Sequence, residues 1–106
     1  METIQLGTYN EAIRAALQWL IKHGVRLEEA FEAKMGGFGM RGLDGSGGYR
    51  VEFDTRAQAH INVWCHSQKG PHYLFPGNEQ AVRSLWRQLY FWDPKLKRRS
   101  GNDNAP

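Results

Sequence analysis

Residues 48–77, GYRVEFDTRAQAHINVWCHSQKGPHYLFPG, contain three runs in which apolar and polar side chains alternate. A period of two marks a strand with one buried face, because successive side chains point to opposite sides of a sheet. In the first run Tyr49, Val51 and Phe53 share one face, and Arg50, Glu52 and Asp54 the other. In the second, Ile61, Val63 and Cys65 oppose His60, Asn62, Trp64 and His66; in the third, Tyr73 and Phe75 oppose His72 and Leu74. TRAQA and SQKGP separate the runs as turns, so the stretch predicts a three-stranded antiparallel meander. Helices can roof its apolar face. The other face gathers three of the four histidines with carboxylates, an arginine and an amide, and is the candidate working surface. A plain solvated face is the competing reading, since an antiparallel sheet packed on one side shows polar residues on the other.

Upstream, Asn10 to His23 reads as an amphipathic helix. Ile13, Ala16, Leu17, Leu20 and Ile21 form its stripe, Thr8 or Asn10 caps it, and Gly24 stops it. LEEAFEAK, from Leu27 to Lys34, reads as a short second helix. Residues 35–48 hold seven of the twelve glycines and read as a loop in which Arg41 is the side chain able to meet a phosphate. Downstream, Asn78 caps a helix over Glu79 to Trp92, with Val82, Leu85, Trp86 and Leu89 spaced for burial and Pro94 as its stop. The expected fold is α+β: one or two helices, the meander, and a C-terminal helix packed on one sheet face.

At 106 residues and 12.2 kDa the chain fits one domain, expected over 1–94, with a basic and disordered tail over 95–106. One cysteine, Cys65, excludes an internal disulfide and a two-cysteine zinc site, and its place on the apolar face suggests a small buried hydrophobe. METIQLGTYNEA lacks a basic segment followed by a long apolar run, and no stretch reaches spanning length. The expectation is therefore no signal peptide, no membrane partner and a cytoplasmic place of action. The net charge of +3 is carried by the tail: of 14 basic and 11 acidic residues, four and one respectively lie in 95–106, leaving a neutral body. Composition alone thus gives little support to nucleic-acid binding.

Cleaving RNA without a metal needs a base for the 2′-hydroxyl proton, an acid for the leaving oxygen, and a cation or amide donors for the phosphate. Imidazoles suit the first two roles because they titrate near neutrality. His60, His66 and His72, with Lys69, Arg50 and Asn62, supply these groups. Pairing Asp54 with His60 across the first turn, and His66 with His72 across the second, would orient His60 through Asp54. It would also place His60 and His66 at opposite ends of the middle strand, roughly 20 Å apart, and separate His60 from His72. Asp54, His60 and His72 lack the close paired spacing of zinc or nuclease motifs, so no metal site is expected. No G-x-x-x-x-G-K-[ST] cradle and no serine nucleophile elbow is present, and no cofactor is expected.

The composite of G-Y-R-V-E-F-D (Gly48 to Asp54), A-H-I-N-V-W (Ala59 to Trp64) and K-G-P-H-Y-x-F (Lys69 to Phe75) resembles C-terminal toxin domains of bacterial polymorphic toxins, of the contact-dependent inhibition and Rhs type. The resemblance covers the meander and the helix after Asn78, and more loosely the first helix and the glycine-rich stretch. It implies an antibacterial effector, a small metal-independent ribonuclease similar to the barnase, EndoU, colicin and RelE group. Helices before an antiparallel sheet with catalysis on its open face would follow, as would a cognate immunity protein. The matched positions are His60 and Asn62, Lys69 and His72, and Arg50 and Asp54; His66 has no counterpart.

The resulting expectation is an endoribonuclease with His60, His72, Lys69 and Asp54 as catalytic groups and Arg50, Asn62, Arg41 and His66 binding the RNA. The alternatives are a non-catalytic module that binds RNA, such as the double-stranded-RNA-binding domain with its helix, three strands and helix, or one that binds protein.

Overall fold

The computed structural model describes residues 2–33, 37–53, 58–66 and 68–92. The expected tail over 95–106 and Asp54 lie outside them. In chain order the elements are β1 (Thr3–Gln5), α1 (Tyr9–Lys22), β2 (Glu29–Glu32), β3 (Phe38–Arg41), β4 (Gly47–Phe53), β5 (Ala59–Cys65), β6 (Gln68–Phe75) and α2 (Glu79–Trp92). The fold is α+β: the described residues form two helices on a mixed sheet of six strands in the order β1-β6-β5-β4-β3-β2.

The expected meander is the centre of this sheet, β4 to β6. Around it the sequence expectation is corrected in three places. The N-terminal residues add β1, parallel to β6. Within the LEEAFEAK segment Glu29–Glu32 is a strand and not part of a helix: Phe31 and Glu29 lie opposite Gly39 and Arg41, and Lys34 lies outside the described residues. The glycine-rich stretch, read as a loop, contains β3, whose Phe38 and Met40 alternate with Gly39 and Arg41. The order of elements is therefore not the helix, three strands and helix of the double-stranded-RNA-binding domain. Gly39 and Gly48 are needed where strands cross closely. A Cβ on Gly39 would run into the Tyr49 carbonyl, and one on Gly48 into that of Met40.

The helices form as their caps predict. Thr8 Oγ1 accepts from the Glu11 amide, and Asn78 Oδ1 accepts from the Ala81 amide at 2.9 Å. Gly24, at φ 74°, ends α1, with the Val25 amide reaching back to the Leu20 carbonyl at 2.9 Å. Both helices pack on the same sheet face. Ala12, Ala16 and Leu20 of α1 are buried one turn apart, and the two alanines let the helix sit close to Ile61, Val63 and Tyr73. The stripe is thus centred one position off the expected one, and Ile21 is 75% exposed. From α2, Val82 is buried, and Trp86 stacks on Phe38 with centroids 5.4 Å apart. Cys65 is buried in this core with a free thiol.

Among the described residues the opposite face carries no helix, and its side chains are set by the strand register. In the first hairpin Glu52 pairs with His60 and Arg50 with Asn62, a shift of two residues from the expected pairing of Asp54 with His60. In the second, Cys65 pairs with Gln68 around a tight turn at His66, which adopts φ 46°. Lys69, Gly70 and Pro71, expected in the turn, therefore belong to β6. Beyond the turn His60 pairs with Leu74 and Asn62 with His72. A two-residue shift keeps every side chain on its face, which is why alternation placed the faces correctly while leaving the neighbours open.

Candidate active site on the open sheet face

Strand β6 has one residue too many between Lys69 and His72. Trp64 pairs with Lys69 and Asn62 with His72, so Gly70 and Pro71 together oppose Val63. Pro71 has no amide hydrogen to give the ladder, and Gly70 backs so tightly on Val63 and Trp19 that a side chain would not fit. This bulge has a consequence for the face. Residues three apart in a regular strand point to opposite sides, but the extra residue brings Lys69 and His72 onto the same one.

The result is a cleft of about 500 Å³ lined by Arg50, Glu52, His60, Asn62, Val63, Trp64, Lys69, Gly70 and His72. The His60 and His72 rings stack within it, with centroids 5.3 Å apart and planes 17° from parallel. The register expected from sequence had separated them. They come together because β6 slides four residues along β5 relative to that expectation, which sets His72 diagonally beside His60.

Glu52 is the hub of the cluster. Its Oε1 accepts from Asn62 Nδ2 at 2.6 Å and lies 3.6 Å from His60 Nε2. Its Oε2 is 3.0 Å from Arg50 Nε, a contact of charges in which the N–H points elsewhere and finds no hydrogen-bond acceptor among the described residues. The His60 ring, the Arg50 guanidinium and the Asn62 amide hold the Glu52 carboxyl down to about 2, against the upward push of burial. On the other side of the ring, His60 Nδ1 lies 3.1 Å from the Gln58 carbonyl. A carbonyl and a carboxylate only accept, so both ring nitrogens face acceptors. His60 is 8% exposed and reaches solvent through the cleft.

His72 is set the opposite way. Partial burial first, then the positive charge of His60, lower its pKa below the ordinary 6.5; Glu52 pulls the other way, and Arg50 and Lys69 add smaller downward pushes. His72 is thus the imidazole whose neutral form is favoured near pH 7, as a base needs, while both nitrogens of the neighbouring His60 ring face acceptors, the setting of a proton donor.

Of the residues singled out from sequence, the cleft gathers His60, His72, Lys69, Arg50 and Asn62. Glu52, not Asp54, sits opposite His60 in the ladder. His66 is exposed at the β5–β6 turn, and Arg41 is on β3, paired with Glu29 at 2.7 Å and lying over the Phe31 ring; neither lines the cleft. Glu52 and Trp64 were assigned no role from sequence, although the alternation put both on this face. Among the described residues no group of three His, Cys, Asp or Glu side chains is placed to hold a metal ion. No protein-family model matches the chain, and no curated protein matches it.

Proposed function

We propose that this protein is a ribonuclease of the bacterial toxin type that cleaves RNA by acid and base chemistry on the open sheet face. The observation that carries the reading is the stacking of His72 on His60 at 5.3 Å in a cleft that also holds Arg50 and Lys69. His72 takes the proton of a ribose 2′-hydroxyl. The 2′-oxygen attacks phosphorus, the bond from phosphorus to the 5′-oxygen breaks, and His60 Nε2–H protonates that oxygen as it leaves. His60 Nε2 lies 3.6 Å from Glu52 Oε1, and its proton is the one passed on while Nδ1–H stays on the Gln58 carbonyl. Arg50 and Lys69 stabilise the charge on the phosphoryl oxygens. Asn62 Oδ1 and Arg50 Nε, both buried, have no hydrogen-bond partner among the described residues, and both belong to residues lining this cleft, as groups reserved for a substrate would be.

The toxin context rests on the resemblance over Gly48 to Phe75, and with it come an immunity partner and action in the cytoplasm of the producing or the target cell. Among the described residues no helix is long and apolar enough to cross a membrane. Incubating the purified protein with RNA in EDTA tests the reading: fragments ending in 2′,3′-cyclic phosphate and 5′-hydroxyl are expected. RNA that stays intact rules the nuclease out, and a salt-sensitive gel shift without cleavage identifies a binding module instead.

A further inference from the structure

The cleft has an aromatic wall that the proton chemistry does not use. Trp64 stands one same-face position along β5 from Asn62, roughly 7 Å away at the rise of a strand. It is half-buried, it lines the cleft, and its ladder partner is Lys69. Its aromatic neighbour is Phe31 of β2, two strands beyond β4. The rings meet at 6.5 Å and 68°, edge to face, so among the described residues no ring lies flat on the indole. They reach each other across β3 and β4 because the open-face positions between them are Gly39 and Gly48. Phe31 is backed in turn by the Arg41 guanidinium, 4.5 Å from its centroid. The indole is thus braced from behind and flanked by the cleft cations Arg50 and Lys69.

We infer that Trp64 is a stacking platform for an unpaired nucleobase next to the phosphate bound by Arg50 and Lys69, so that the cleft takes single-stranded and not duplex RNA. This rests on the proposed nuclease reading of the same cleft and adds the form of its substrate. A base inside a duplex has both faces covered by its neighbours and cannot lie on the indole, whereas an unpaired base can, whatever its identity. Phosphate contacts to Arg50 and Lys69 set the strand's position, and the indole selects for unpaired bases.

A short 2′-O-methyl oligoribonucleotide lacks the attacking hydroxyl and so measures binding without cleavage. The unmodified protein is expected to bind the single strand at least roughly 10-fold more tightly than the same strand annealed to its complement, and Trp64→Ala to lose about that factor while Trp64→Phe keeps most of it. A strand carrying abasic sites is expected to bind the unmodified protein as weakly as the full strand binds Trp64→Ala, a comparison that leaves the protein untouched. Equal binding of single strand and duplex, or of full and abasic strands, overturns the platform even if the protein cleaves RNA. Selective single-strand binding by a protein that never cleaves RNA removes the nuclease and leaves the platform standing.

Discussion

Glu52 accepts from Asn62, faces His60 and lies against Arg50, so one carboxylate fixes the orientation of three cleft side chains. Replacing it by glutamine keeps the shape and removes the charge. In Glu52→Gln the imidazolium of His60 loses its counter-charge, its proton is held less firmly, and the alkaline limb of the pH–rate profile is expected to move to lower pH. The acid limb belongs to His72 and should keep its midpoint below the ordinary 6.5. Stability follows with a definite sign. A carboxyl held at about 2 when folded, against 4.5 ordinarily, stabilises the fold above pH 4.5 and loses that contribution as pH falls toward 2. His72, depressed in the fold, likewise costs stability when it is charged below about 6.5. Thermal melts of wild type and Glu52→Gln across this range should converge at the acid end. Glu52 was legible as a residue of the polar face, but not as the partner of His60, because alternation is blind to a two-residue slip.

At the scale of elements, the β5–β6 hairpin carries the site, and its bulge is the part the sequence conceals. Gly70 and Pro71 look like turn residues, yet the turn closes earlier, at His66, and the pair instead forms the kink that brings Lys69 round to His72. Gly70→Val would press a side chain on Val63 and Trp19 and is expected to lower stability by about 1–3 kcal/mol in chemical denaturation, with a loss of cleavage as Lys69 shifts. The missed strands have similar causes. β1 and β2 are three and four residues long, too short for a period to stand out, and β3 hides its alternation because one of its open-face positions is glycine. Both long helices were legible, since their caps and apolar spacing agree.

For the whole molecule, two helices roof one side of the six-stranded sheet and, among the described residues, leave the other side uncovered. Leu20, 1% exposed between α1 and the sheet, is a keystone of that roof, and Leu20→Ala is expected to cost about 2–5 kcal/mol in unfolding free energy. Charge is sparse on this scale, because the body outside 95–106 is neutral. With Arg50 and Lys69 as the cations that meet phosphate, the slope of log affinity against log salt for a single strand should be shallow, about −1.4 at roughly −0.7 per phosphate. A much steeper slope would mean that basic residues beyond the cleft carry the binding.

The most direct measurement is the initial rate of RNA cleavage in EDTA by His60→Ala and His72→Ala, each first shown by thermal melting to be folded. Both rates are expected to fall by about 100-fold or more, the usual worth of a positioned acid or base. Wild-type rates in both variants would contradict the account.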